Sequence, residues 1–195
     1  DIMDSGGPDI QLEIPDGVQI KKNYVGKHLA NYDSMLVLSH FKGHAMGGFG
    51  GALKQLSIGC ASSYGKKYIH GAGVAKDNIF GTDQVSFVNS MGDAATSVHR
   101  YFKGNIAYIN SMVNISIDCD CDGNASLPCM KDIGILASTD PVAVDQACLD
   151  IIYHSKDPGK EKLIERIEEK KAIHIIETAA KLGAGSREYE IINID

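Results

Sequence analysis

Residues 34–54 have the sequence SMLVLSHFKGHAMGGFGGALK and decide the fold class. The segment opens with a continuous apolar run, Ser34–Ser39, as in a strand that is buried on both faces. A glycine-rich stretch, 43–51, follows it, and a helical pattern runs from Phe49 to about Ile58. A strand that leads through glycines into a helix is typical of α/β proteins, whose ligands bind beyond the carboxyl ends of the strands.

The alternation of strands and helices continues outward from this segment. Apolar runs predict strands, and apolar side chains spaced by three and four residues predict helices. The further predicted strands are a hairpin of 10–14 and 17–20, then 106–117, 133–137 and 189–194. The predicted helices are 24–32, 83–102 with Asp83 or Thr82 as cap, a helix that opens at Asp140-Pro141, 159–171, and 173–182 with Gly183 at its end. Residues 62–82 resemble a loop. We therefore expect a single α/β domain over residues 1–195, with three layers around a mostly parallel sheet.

Composition limits the functional class. The chain has 195 residues and a net charge of −6, which disfavours nucleic-acid binding. No apolar run approaches the ~20 residues of a membrane span. Five cysteines, an odd number, do not suggest a disulfide framework, and we expect a cytoplasmic protein. The first residue is Asp1 rather than methionine, so we expect the C-terminal part of a longer protein, with exposed apolar surface covered in a homodimer.

The glycine-rich segment concentrates candidate ligand-binding residues. Histidine ligates metals or transfers protons near neutral pH, and glycines let backbone amides approach an anion. A tight turn with incidental polar residues would have the same composition. We predict that His44 and Lys54 face one ligand, that His40 is a neighbouring metal ligand, and that His70 closes the pocket from its loop. The cofactor-binding residues are predicted to be Lys42, Gly47, Gly48, Gly50, Gly51 and Lys54.

A second polar segment, 118–124, has the sequence DCDCDGN. Its acids match the opening of a calcium loop, but the twelfth position, where such a loop has glutamate, is Cys129. The thiols of Cys119 and Cys121 suit zinc or another transition metal, with Cys129 as a third sulfur. A polar loop with buried thiols is the alternative. The spacing C-x₂-C-x₂-C-x₃-C is absent, so no ferredoxin-type cluster is expected.

The sequence contains a set of distinctive motifs at residues 36–44, 48–54, 59–62, 65–66, 118–121, 132–137, 140–147 and 183–190. Together these motifs resemble the domain of unknown function 362 family. The resemblance extends over residues 30–190. It implies a relation to proteins described as iron–sulfur centre proteins, many of which carry a ferredoxin-like module after the position of His70; residues 71–82 contain no cysteine.

A shorter motif is similar to one in the nickel-dependent lactate racemase family. It consists of His44, then Gly48-Phe49-x-Gly51, then Lys54. This resemblance implies a catalytic role for His44, a cofactor tether at Lys54 and a nickel ligand at His70.

The sequence thus predicts a metal- or cofactor-binding protein of redox or isomerase type. The expected cofactor is a transition metal (nickel, zinc or iron), and the expected partner is a small molecule or anion. The alternative is a noncatalytic scaffold or partner-binding domain that is related to iron–sulfur proteins but lacks the cluster.

Overall fold

The computed structural model describes Met3 and residues 9–194. The strands are β1 Ile10–Glu13, β2 Lys22–Val25, β3 Met35–His40, β4 Lys42–His44, β5 Gly48–Gly50, β6 Ile106–Met112 and β7 Gly134–Ser138. The α-helices are α1 Ala52–Lys54, α2 Ser63–His70, α3 Gln84–Tyr101, α4 Pro141–His154, α5 Lys160–Glu169 and α6 Ile173–Lys181. A 3₁₀-helix covers Lys27–Asn31, and a π-helix, Gln55–Gly59, continues α1.

The central sheet has the strand order β3-β6-β7. Strands β3 and β6 are parallel, with Met35 opposite Ile106, whereas β6 and β7 are antiparallel, with Tyr108 opposite Ser138. The α/β class is confirmed, but the sheet is mixed rather than mostly parallel. The antiparallel pairing arises because residues 113–133 form an irregular connection without the helix that a parallel crossover requires.

Helices cover one face of this sheet. Side chains on that face, such as Val37 and Tyr108, are buried, and α4 packs against both β6 and β7. On the opposite face, Leu36, Leu38 and Ile135 are 62%, 68% and 68% exposed. Residues 9–194 therefore leave this second face of the central sheet largely exposed, and the three-layer arrangement remains a prediction.

The two long helices begin where their capping residues predict. Asp83 accepts a hydrogen bond from the Ser86 backbone N–H, and Asp140 accepts from those of Val142 and Ala143. Pro141 occupies the first turn of α4, where its missing N–H costs nothing. The predictions for both helices are confirmed.

The N-terminal hairpin exists, but its second strand begins later than predicted. Residues 17–20 are not a strand, because the backbone N–H groups of residues 18–20 donate hydrogen bonds to a buried carboxylate on α3 instead of to a neighbouring strand. Asp93 accepts hydrogen bonds from the backbone N–H groups of Val18, Gln19 and Ile20 at 2.6–2.7 Å. The paired strands are β1 and β2.

Other predicted boundaries also need correction. Residues 62–82 are not all loop, because Ser62 caps helix α2 through the Gly65 backbone N–H. The predicted helix 24–32 is reduced to the 3₁₀-helix, since residues 22–25 pair with β1. The strand predicted over 106–117 ends at Met112, and residues 189–194 form no strand. Among the described residues, no helix is both long and apolar enough to cross a membrane.

Candidate metal centre

A short hairpin, β4–β5, presents His44 next to the polar loop. The backbone N–H groups of Met46 and Gly47, in the turn of this hairpin, donate to His44 Nδ1 at 3.1 and 2.9 Å. These two bonds fix the orientation of the ring. The glycine-rich segment thus forms a hairpin before any helix begins, whereas the sequence predicted a helix from Phe49.

The chain that leads into the polar loop runs directly beside this hairpin. The Gly43 backbone N–H donates to the Ser116 carbonyl at 2.8 Å. A Cβ atom at Gly43 would lie 2.0 Å from the Ile117 carbonyl oxygen. Glycine is therefore required for this close approach, which places the loop that begins at Asp118 next to His44.

Three potential metal ligands converge at this junction. The ligand atoms of His44, Cys119 and Cys121 all lie within 4.8 Å of one another. The distance between His44 Nε2 and Cys121 Sγ is 3.8 Å. Ordinary Zn–N and Zn–S bond lengths in a tetrahedral centre would separate these two atoms by about 3.6 Å. The spacing therefore fits two ligands of one ion.

The sulfur of Cys119 also has contacts that suit a bound thiolate. The Cys121 backbone N–H donates to Cys119 Sγ at 3.4 Å. A cysteine that ligates a metal can keep a backbone N–H contact of this kind, and thiolate is the form of cysteine that binds a metal. Cys119 is buried and Cys121 is exposed, so solvent reaches the cluster from the side of Cys121.

The acids of the loop do not join the thiols; they bind cations around them. Asp120 lies 2.9 Å from His40 Nδ1 and 3.0 Å from Lys42 Nζ. Asp118 lies 3.4 Å from an Arg166 guanidinium nitrogen. These ion pairs hold the loop on both sides of Cys119. Because the carboxylates are engaged with cations, they do not form the oxygen cage of a calcium site.

The titration behaviour of the cluster disfavours a nucleophilic cysteine. Burial, with the charges of Lys54 and Lys42, lowers the pKa of His44 to about 4. Burial and the neighbouring Cys119 raise the pKa of the Cys121 thiol. A thiolate–imidazolium pair needs the opposite shifts. The pair is therefore neutral without a metal.

The bonds to Nδ1 define what a metal would have to do at His44. Because Nδ1 accepts two backbone N–H bonds, the proton of the neutral ring lies on Nε2, facing Cys121. If Nε2 were to ligate a metal, this proton would have to leave the ring or lie on Nδ1 instead. In the second case the Met46–Gly47 amides must release the ring, so metal binding would shift the hairpin turn.

The other predicted metal ligands lie outside this three-residue cluster. His40 contacts Asp120 through Nδ1 and the Val113 carbonyl through Nε2 at 2.8 Å, so both of its ring nitrogens are engaged. His70 lies on α2, where Nδ1 donates to the Lys66 carbonyl at 2.7 Å. Their predicted roles in metal binding remain predictions.

Lys54 stands at the end of α1, beside the cluster. Its charge contributes, after burial, to the lowered pKa values of both His44 and His70. The described residues provide no ion pair for it. It leads into the π-helix, a rare geometry that is frequent at functional sites. Lys54 is thus close enough to His44 for its charge to act on the imidazole. That the two side chains face one ligand remains a prediction.

The predicted glycines of the segment have packing explanations. A Cβ atom at Gly48, where φ is +83°, would lie 2.5 Å from the Ala172 Cβ atom. At Gly51 it would lie 2.5 Å from Asp145 Oδ1. Gly47 and Gly50 have ordinary spacings of at least 3.4 Å. Contact with a cofactor at these positions remains a prediction.

The sequence did not reveal which residues form ion pairs with the polar loop 118–124. In the sequence, Asp118 and Asp120 resemble the acids of a calcium loop, and Arg166 lies in the predicted helix 159–171 without a role. The alternation of acids and thiols was the available signal, although their cationic partners are distant in sequence. Cys129, considered as a third sulfur, instead places its thiol 3.4 Å from the Ile115 carbonyl.

The β4–β5 hairpin, the polar loop 118–124 and the start of α4 all lie in a part of the chain that matches a known protein family. A family model described as domain of unknown function (DUF362) matches residues 2–150. The chain belongs to this family. All three cluster residues lie within the matched range. Comparison with curated proteins and with solved structures gave no match. Membership of the DUF362 family does not assign racemase activity to the chain. The resemblances to iron–sulfur centre proteins and to lactate racemases remain expectations.

Proposed function

We propose that this DUF362 protein binds a single transition-metal ion through His44, Cys119 and Cys121. The observation that supports it is the convergence of one imidazole and two thiols within 4.8 Å. Nitrogen and sulfur donors select zinc and related ions over calcium and magnesium. Nickel and iron(II) remain candidate ions.

Three protein ligands leave one position of a tetrahedral ion free. Open positions of this kind characterise catalytic rather than structural zinc sites. Two thiolates balance the charge of a divalent ion, and the nearby Lys54 then adds a positive charge. This arrangement supports a small anion as the fourth ligand. It is compatible with redox or isomerase chemistry without selecting either.

A zinc titration against a chromophoric chelator tests this proposal. We expect one Zn²⁺ per chain, and we expect Cys119→Ser and Cys121→Ser each to weaken binding more than the ~100-fold that outer-shell substitutions reach. Cys129→Ser is the matched control and should bind as the wild type does. Absence of stoichiometric binding by the wild type would instead favour the noncatalytic scaffold.

A further inference from the structure

A cavity of about 260 Å³ adjoins the same hairpin turn that supports His44. Met46 contributes to its wall, and α2, α3 and the loop between them supply most of the remainder. Its size is below the usual ~300–1,000 Å³ of drug-sized pockets, so it suits a molecule with a single ring. The proposed metal ion does not require this cavity.

His70 gives the cavity a hydrogen-bond acceptor with a fixed tautomer. Its Nδ1 donates to the Lys66 carbonyl at 2.7 Å, so in the neutral ring Nε2 keeps its lone pair. Burial, partly opposed by that hydrogen bond, lowers the pKa of His70 and favours the neutral ring. Within the described part of the chain, Nε2 has no hydrogen-bond partner. A ligand that donates an N–H or O–H would supply one.

The walls around His70 are suited to a flat apolar ring. His70 stacks on Phe87 with ring centroids 4.9 Å apart, which fixes the imidazole plane. Phe80 lines the cavity and is 69% exposed, so it offers an uncovered aromatic face. The Gln84 side-chain amide already donates to the Met46 and Lys170 carbonyls. Thr82 also lines the cavity, and its buried hydroxyl has no hydrogen-bond partner among the described residues. His70 Nε2 and this hydroxyl are therefore the polar groups free to bind a ligand, and of the two the neutral imidazole nitrogen acts only as an acceptor.

We propose that this cavity binds a small planar aromatic molecule, with a single ring, that donates one O–H or N–H to His70 Nε2. Phenol is the simplest probe of this class. Anisole is its matched control, because a methyl group replaces the donated proton and leaves the ring unchanged.

Saturation-transfer NMR on the full chain, without added metal, measures both affinities. We expect phenol to bind about 2- to 10-fold more tightly than anisole, the range that one net hydrogen bond provides. His70→Phe retains an aromatic ring for stacking but removes the acceptor, and should abolish this preference. Equal binding of both probes by the wild type, or binding of neither, would overturn the proposal.

A second variant does not depend on the half-buried His70. Phe80→Ala changes an exposed side chain and should weaken both probes, whereas Leu127→Ala, on a side chain that is 86% exposed and outside the cavity wall, should change neither. Unchanged phenol binding by Phe80→Ala would show that the probe binds elsewhere, and the assignment of the cavity would be wrong.

Discussion

Four consecutive side chains, Asp118 to Cys121, alternate between two tasks. The acids bind cations on neighbouring elements, and the thiols converge on His44. Asp120 is the more informative acid, because it lies between the two cysteines and contacts both His40 and Lys42. Removing its charge should loosen the loop without removing a metal ligand.

Asp120→Asn should therefore weaken Zn²⁺ binding by about 10- to 100-fold, as is typical when a residue that positions a ligand is replaced. Asp122→Asn removes an exposed acid of the same loop and should leave affinity nearly unchanged. Within residues 9–194 the Asp122 carboxylate forms no ion pair and accepts a hydrogen bond from the Asn124 backbone N–H. Competition with a chromophoric chelator measures both variants. Equal affinities for the two would show that the ion pairs of Asp120 do not position the thiols.

Sequence alone located this site only in part. It identified His44, Cys119 and Cys121 as metal-ligand candidates, but on two separate segments and together with His40 and His70. What brings His44 to the thiols is the contact of Gly43 with residues 116–117, a pairing between distant parts of the chain. Side-chain periodicity reports which face is buried and contains no information on such pairings.

The start of helix α1 depends on a buried carboxylate from α4. Asp145 accepts hydrogen bonds from the Ala52 and Leu53 backbone N–H groups and from the Asn110 side chain, at 2.7–2.9 Å. This contact fixes the helix that carries Lys54. Burial raises the pKa of Asp145 from 3.8 to about 6, even though these bonds oppose the shift.

The raised pKa makes stability depend on pH. Between about pH 4 and 6 the folded state holds the proton of Asp145 more tightly than the unfolded state does, so this contribution to stability is lost as pH rises through 6. A shift of this size corresponds to about 3 kcal/mol. The side chain of the Asp145→Asn variant cannot ionise, so this variant is the reference. The free energy of unfolding of the wild type minus that of the variant should fall by about 3 kcal/mol from pH 4 to pH 7.

Urea unfolding across this pH range measures the difference, and Asp33→Asn, an exposed acid, is the control that should show no such trend. A difference that stays constant, or that grows with pH, would mean that Asp145 is ionised throughout.

Elements with strong local signals were predicted well, and those fixed by distant partners were not. Helices α3 and α4 have apolar periodicity and an aspartate cap, and both are where the sequence places them. The second strand of the N-terminal hairpin was misplaced because Asp93, some 70 residues away, binds the amides of residues 18–20. Helix α2 was missed because glycines at 65 and 71 suggested a loop.

Within residues 9–194, one face of the central sheet exposes large apolar side chains. It combines Leu36, Leu38 and Ile135, with Ile109 between β3 and β7 in the sheet. These side chains carry no charge, and a contiguous apolar face of this kind marks an interaction surface. Because these side chains carry no charge, the same face of a second copy would not repel it, and twofold symmetry would let the two copies cover each other.

We therefore expect a dimer, and Leu38→Lys should convert it to a folded monomer by placing a charge in the interface. Val74→Lys, which is on a loop away from the sheet and whose side chain is 58% exposed, should remain dimeric. Sedimentation at several concentrations distinguishes the states. A monomeric wild type would contradict this assignment. So would a Leu38→Lys variant that has the mass of a dimer at the same concentrations as the wild type.

Cobalt substitution shows whether one imidazole and two thiolates hold a metal in this chain. Co²⁺ that is bound by thiolate has a sulfur-to-cobalt charge-transfer absorption band, which Co²⁺ bound by nitrogen and oxygen ligands alone lacks. We predict that this absorption saturates at one Co²⁺ per chain, disappears in the Cys119→Ser/Cys121→Ser double variant and persists in Cys129→Ser. No thiolate absorption at one equivalent, or an unchanged spectrum in the double variant, would contradict the account.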